Sequence, residues 1–256
     1  MDSSLVVGES VGYTSNMILV FDARQLEWRA VAHNSEDKTA IQEIKDGLDF
    51  HSDNQKKFKL PDRLTSKKFL FRAIFKGSAY AYSVDNDFKH IGGTKYWQNV
   101  IDRFYEKYNG IYKYHANLMR EAQSTGRVIS NTGRIYYFEP RMRRGELKWP
   151  ENDIVNYPVQ GFSADLMSLI RVSAWNRLKE WRESGKLLFV NTVHDNLVLD
   201  LDGGIKDAVE VSKIVRGSFQ DCGKNYQKIY KKELLIPMDT DAKVGINYKW
   251  VHELKI

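Results

Sequence analysis

The chain has 256 residues, with 39 Lys and Arg against 33 Asp and Glu, a net charge of +6. Its 42% apolar and 28% charged content fits one large or two small globular domains and excludes a disordered chain. A single cysteine, Cys222, excludes an intrachain disulfide, a multi-thiolate zinc site and an iron–sulfur cluster. No apolar run approaches the roughly 18 residues that a bilayer span needs, and the first ten residues lack the basic start and apolar stretch of a signal peptide. A reduced, cytoplasmic setting without a membrane partner is therefore expected. The positive balance favours a polyanionic partner without requiring one.

Along the chain, Met17 to Phe21 form a short apolar run that predicts a buried strand. It runs into Asp22, followed by good helix formers from Ala23 to His33, so Asp22 is expected to end the strand and cap a helix. Thr65 to Tyr82 predict one long helix capped by Thr65 or Ser66, and residues 94–125 one or two Tyr-rich helices. Residues 126–150, rich in Gly and Arg, predict a loop or short hairpin. A second long helix is expected to start near Gly161, with Phe162, Leu166, Leu169 and Ile170 on one apolar stripe. Runs 187–193 and 197–201 flank His194-Asp195-Asn196, the pattern of a β-hairpin. There is no repeat, no low-complexity tract and no proline-rich linker. Strand, helices and hairpin without βαβ alternation predict an α+β fold.

Three constellations can carry chemistry. Asp22 and Asp195 each stand at the end of an apolar strand-like run. Two carboxylates on adjacent strands, sharing divalent ions, suit phosphoryl transfer; ordinary cap or turn aspartates are the other reading. Lys68, Arg72, Lys76 and Tyr80 recur at i, i+4 and would form one helical ridge. Three aligned cations repel one another, so a triphosphate is a natural partner, with the Tyr80 ring against a base; a solvated cationic stripe is the alternative. The basic stretch 120–148, interleaved with Tyr136, Tyr137, Phe138 and Trp149, suits a nucleic-acid backbone or a solvated loop. Gly8-Glu9-Ser10-Val11-Gly12 matches G-x-S-x-G, but only seven residues precede it and a strand follows, so it reads as a turn. No P-loop and no H-x-x-x-H zinc motif is present.

Taken in order, the segments resemble the family A DNA polymerases, the group of bacterial DNA polymerase I and many phage replicases. Phe21 to Arg29 resembles the first motif, D-Y-S-Q-I-E-L-R. Gly47-Leu48-Asp49-Phe50-His51 resembles G-x-D-x-H, and Lys68 to Tyr80 the fingers helix. Asn156 to Gly161 with Ala164-Asp165 resembles N-x-P-x-Q-G-x-x-A-D. Val193 to Asn196 resembles V-H-D-E, and Gly245 to Trp250 the closing G-x-N-W. The resemblance implies a right-hand polymerase with an antiparallel palm sheet and helical fingers: palm at 1–36 and 151–256, fingers at 37–150. It implies DNA-directed DNA synthesis with two Mg²⁺ ions, held by Asp22, Asp195 and the carbonyl of Ala23. It makes Gln25, Glu27, His51, Lys68, Arg72, Lys76 and Tyr80 contacts of the incoming dNTP, with Glu27 excluding the ribose 2′-hydroxyl. Arg29, Asn156, Gln160 and His194 would contact primer–template DNA.

This sequence departs from the family pattern at several points. Lys68 and Arg72 stand where the family has Arg and Lys, Lys76 where it has Phe or Tyr, Ala81 for Gly, and Asn196 for an acidic residue. Only 21 residues precede the first motif, whereas the family has a thumb, early palm and usually a 3′–5′ exonuclease there. With an initiator Met, the expectation is one half of a split phage-type polymerase whose partner supplies thumb and exonuclease, with a possible processivity factor; a fragment is the alternative. A non-catalytic DNA-binding or assembly subunit of a replisome and a single-subunit RNA polymerase are the rival functions.

Overall fold

The computed structural model describes residues 16–143 and 145–256. The Gly8 to Gly12 turn lies outside the described residues. In chain order these residues form β1 (Met17–Ala23), α1 (Leu26–Ser35), α2 (Lys38–Lys45), α3 (Phe50–Phe58), α4 (Arg63–Ala73), α5 (Ala79–Val84), α6 (Thr94–Lys107) and α7 (Asn109–Thr125). Two small hairpins follow, β2 (Arg127–Ile129) with β3 (Ile135–Tyr137) and β4 (Arg141–Arg143) with β5 (Glu146–Lys148). The remainder is α8 (Glu151–Arg177), α9 (Lys179–Glu183), β6 (Leu187–Val193), β7 (Asn196–Leu201), α10 (Ile205–Gln220), α11 (Cys222–Tyr230), β8 (Thr240–Asn247) and β9 (Trp250–Leu254). The fold is α+β, as the order of patterns predicts. It divides into two compact units: residues up to Leu26 with Ser163–Ile256, and Glu27–Phe162.

The first unit holds a five-stranded antiparallel sheet in the order β6-β7-β1-β8-β9. Its register pairs Leu19 with Leu199 and Phe21 with Leu197 across β1 and β7. Leu19, Phe21 and Ala23 of β1, with Leu197, Leu199 and Leu201 of β7, lie on one face and are almost wholly buried. Val211, Val215 and Phe219 of α10 add to this core. Each such side chain contributes about 1.5–3 kcal/mol of burial.

The second unit is mainly helical, around an aromatic cluster. Phe69, Tyr82, Phe88, Trp97 and Phe104 are fully buried; Tyr82 stacks on Trp97 at 5.1 Å and Phe88 meets both rings edge-on at 5.2 Å. A second cluster joins Leu118, Met119 and Ala122 of α7 to Val128, Phe138, Ile154 and Val155. The buried carboxylate of Asp37 caps two helices at once. It accepts from the Ala40 amide at the start of α2 and from the Gly110 and Ile111 amides at the start of α7.

Three sequence expectations need correction. The segment 65–82 is two helices, not one. Asp62, not Thr65 or Ser66, is the N-cap of α4 and takes both the Thr65 amide and hydroxyl at 2.8 Å. The helix ends because Lys76 turns left-handed (φ 61°), with its amide on the Ala73 carbonyl and the Gly77 amide on the Arg72 carbonyl, a Schellman ending. A side chain at Gly77 would meet Tyr82 Oη at 2.8 Å and the Arg72 carbonyl at 3.1 Å. Phe71 on α4 is 55% exposed. The second correction is the helix expected near Gly161: α8 begins ten residues earlier, at Glu151, and carries Pro158 in its interior. Proline there costs about 3 kcal/mol, but Ile154, Val155, Val159 and Phe162 are all fully buried and outweigh it. The third correction concerns Asp22: it lies within β1 and does not cap α1, which starts only at Leu26.

Candidate active site

In the first unit the sheet brings three expected residues to one end. Alternation along β1 buries Phe21 and Ala23 and turns Asp22 to the half-exposed opposite face. Asp22 is paired in register with Asn196 of β7 and with Asp241 of β8. The two-residue link between β6 and β7 is His194-Asp195, with His194 left-handed at φ 52°. The Asp195 carbonyl accepts from the Ala23 amide at 3.0 Å, which ties the hairpin turn to the end of β1. The Asn196 side-chain Nδ2 donates to Asp195 Oδ1 at 3.2 Å, and the Thr240 hydroxyl to the Asp22 carbonyl at 2.9 Å. Among the described residues no group of three His, Cys, Asp or Glu side chains is assembled to hold a metal. The hard oxygens of Asp22 and Asp195 nevertheless suit Mg²⁺, which is usually held by one or two carboxylates together with water and substrate phosphates.

Beside these carboxylates is a network that the sequence reading missed. Arg24 Nε donates to Asp241 Oδ1 and its Nη1 to Asp239 Oδ2, both at 2.7 Å. Arg216 grips Asp239 with two bonds of 2.8 and 3.0 Å and reaches the Ile256 carbonyl. Burial of Asp239 disfavours its charge, but Arg216, the Thr240 amide and Arg24 outweigh this and hold it below the usual carboxylate range. The sequence signal was the pair of aspartates Asp239 and Asp241, with Arg24 two residues after Asp22.

The second unit carries most of the expected nucleotide and DNA residues. Lys68 and Arg72 share α4, Lys76 lies in the break and the 64% exposed Tyr80 lies on α5, so the ridge is not one continuous helical row. Nor are the three cations unpartnered. Lys68 pairs with Asp87 at 2.8 Å, Arg72 with Asp85 at 3.0 Å, and Lys76 with Glu151. Arg72 also lies 4.9 Å over the Phe88 ring.

His51 is in the first turn of α3, behind Asp49, the N-cap. Burial, reinforced by the positive charges of Arg63 and Lys67, pushes its pKa down to about 4 despite the nearby Asp49. It is therefore a neutral imidazole at pH 7, and its buried Nδ1 has no hydrogen-bond partner. Asp49 is held well below the usual carboxylate range, chiefly by Arg63, which binds it at 2.8 and 3.0 Å. Glu27 lies in the first turn of α1, Arg29 is buried two residues further on, and Gln25, the last residue before that helix, is left-handed at φ 53°. Asn156 and Gln160 stand one turn apart on α8, and Asn156 Oδ1 is buried without a partner. Gly161 is required there: a Cβ would lie 1.7 Å from Tyr136 Oη.

The family model for DNA polymerase family A matches residues 10–250. The chain is similar to DNA polymerase I of Lactococcus lactis subsp. cremoris, 26% identical over 90% of this chain and 26% of the relative. It is also similar to DNA polymerase I of Caldicellulosiruptor bescii, 25% identical over 91% of this chain and 27% of the relative, and of Pseudomonas aeruginosa, 28% identical over 92% and 25%. The chain thus spans about a quarter of the length of the curated relatives it matches. In structure it is similar to the POL domain of Pol1 from M. smegmatis, solved in complex with DNA primer-template and dNTP, with a TM-score of 0.73 and 20% identity over 93% of this chain and 41% of that one.

Proposed function

Because the chain belongs to DNA polymerase family A, we propose that it carries the palm and fingers of a DNA-directed DNA polymerase, which adds dNTPs to a primer 3′-hydroxyl. The observation that carries this reading is the pair Asp22, on β1, and Asp195, in the turn of the adjacent β6–β7 hairpin, tied by the Ala23 amide to the Asp195 carbonyl. Asp22 and Asp195, with the Ala23 carbonyl, would hold two Mg²⁺ ions. Bound there, the ions would activate the attacking oxygen and stabilise charge on the phosphate.

The other residues bind and orient. Lys68, Arg72 and Lys76 neutralise the triphosphate. Tyr80 offers a ring to the base, with Gln25 a further nucleotide contact. His51, neutral at pH 7, contributes a hydrogen bond to the nucleotide rather than a charge. Glu27 excludes a 2′-hydroxyl, the feature that favours deoxyribonucleotides over ribonucleotides. Arg29, Asn156, Gln160 and His194 hold primer–template, and the unpartnered Asn156 Oδ1 gives that contact an acceptor. Palm at 1–36 and 151–256 and fingers at 37–150 is the division of labour in this reading, with the chain in the cytoplasm beside its template.

In this reading a second polypeptide contributes thumb and 3′–5′ exonuclease, as in a split phage-type enzyme. Primer extension on a labelled template with Mg²⁺, with and without such a partner, tests the reading. Template-directed extension that is lost in Asp195→Asn is expected. Primer–template binding without any extension under either condition would leave a non-catalytic DNA-binding subunit.

A further inference from the structure

Every cation of the ridge assigned to the triphosphate is already bound by a carboxylate of the same unit: Lys68 by Asp87, Arg72 by Asp85, Lys76 by Glu151. Two of these carboxylates come from a single turn, and that turn is rigid. The Asp87 amide donates to Asp85 Oδ1 at 2.9 Å, and the Phe88 and Lys89 amides donate to the Asp85 carbonyl at 3.0 and 2.8 Å. Phe88 then enters the aromatic core, edge-on to the stacked rings of Tyr82 and Trp97. The carboxylates are therefore fixed beside the ridge and, unlike a solvent anion, cannot diffuse away, so their effective concentration stays high.

The same pairs are weak enough to exchange. The six side chains are 30–53% exposed, and exposed pairs contribute little each. Asp85 takes only one guanidinium nitrogen of Arg72, and Asp87 takes one of the three ammonium donors of Lys68.

We propose that Asp85, Asp87 and Glu151 are built-in counter-ions which the nucleotide triphosphate displaces, so that they set nucleotide affinity and its salt dependence. The proposal rests on the ridge reading given under Proposed function. Binding is then an exchange of one set of ion pairs for another. Salt weakens both sets, so affinity falls only gently as salt rises. Without the carboxylates, the freed cations would bind phosphate more tightly, and that gain would be screened away by salt.

The test is calorimetric binding of dATP, and separately of inorganic tripolyphosphate, to the 256-residue chain and to Asp85→Asn, Asp87→Asn and Lys68→Ala, across a salt series. Each asparagine variant should tighten binding about two- to fivefold, the range that an exposed pair carries, with a steeper fall against salt. Lys68→Ala should weaken binding. If Lys68→Ala weakens it but neither asparagine variant tightens it, the counter-ion role is wrong and the ridge reading stands. If Lys68→Ala leaves binding unchanged, the ridge reading fails and takes the counter-ions with it. Asp87 is an exposed side chain outside the aromatic core, so Asp87→Asn alone decides the matter if Asp85→Asn lowers the melting temperature.

Discussion

The end of the sheet at Asp22 and the cationic stretch at 65–82 present equally plain patterns, yet only the first keeps the element its pattern predicts: β1 is a strand, whereas 65–82 is two helices. In β1 each residue has one of two faces, and burial of Leu19, Phe21 and Ala23 leaves Asp22 no choice. In 65–82 the i, i+4 spacing is regular, but periodicity does not mark where a helix stops. The Schellman ending at Lys76 and Gly77 depends on hydrogen bonds to the carbonyls of Ala73 and Arg72, and the Tyr82 hydroxyl fills the space that a Gly77 side chain would occupy. A strand pattern therefore specifies orientation, whereas a helix pattern specifies a face only while the helix lasts.

The sharpest way to break the comparison is at the strand end. Asp22→Asn or Asp195→Asn should lower nucleotide incorporation by about a thousandfold or more, since charge stabilisation by the ions is worth several kcal/mol. Primer–template binding and the melting temperature should change little, because neither side chain belongs to the core. Single-turnover extension beside a filter-binding assay checks both; near-normal extension would refute the carboxylate assignment.

Phe88→Ala probes the cationic stretch from beneath. It removes a fully buried ring that packs on Tyr82 and Trp97 and lies under Arg72. A loss of about 3–5 kcal/mol in urea unfolding is expected, from the usual cost of such truncations.

Arg72→Ala should raise the apparent KM for dNTP about tenfold and lower kcat, a modest effect for an arginine–phosphate contact, because Asp85 already occupies part of the guanidinium. Steady-state kinetics over a dNTP series measures it. Unchanged constants would mean that the ion pairs serve the fold alone.

The smallest effect is pH dependence. The folded pKa values of His51 and His115 lie below the unfolded value, at about 4 and about 3, mainly through burial. The unfolded chain then binds more protons, so this contribution to stability is complete above about pH 6.5 and is lost as pH falls towards 4 and then 3. Urea midpoints across that range should fall, and His51→Gln should flatten the upper part of the curve.

What was readable from residues alone has a common basis. Strand β1, the hairpin around His194-Asp195 and the α+β class all rest on neighbours within a few residues, where alternation and turn chemistry act directly; the loop or short hairpin expected at 126–150 is two hairpins. The ordered motifs made the polymerase family legible for the same reason, because each is a short local string. Asp37, Asp85, Asp87, Glu151, Asp239 and Asp241 were missed because an aspartate or glutamate has no periodic signature. Its partner is chosen across a turn, as Asp85 and Asp87 are for Arg72 and Lys68, or from a distant strand or helix, as Asp239 is for Arg24 and Arg216.

Sequence by itself thus determined which residues carry charge at the strand end and along the 65–82 stretch, and that the strand end presents carboxylates. Only the tertiary structure decided that the helix there breaks at Lys76, that α8 runs through Pro158, and that the ridge is matched by its own carboxylates. The physical reason is range: backbone propensity and alternation act within a turn or a strand, whereas helix ends, tolerated prolines and ion pairs depend on burial and charge contributed from elsewhere in the chain.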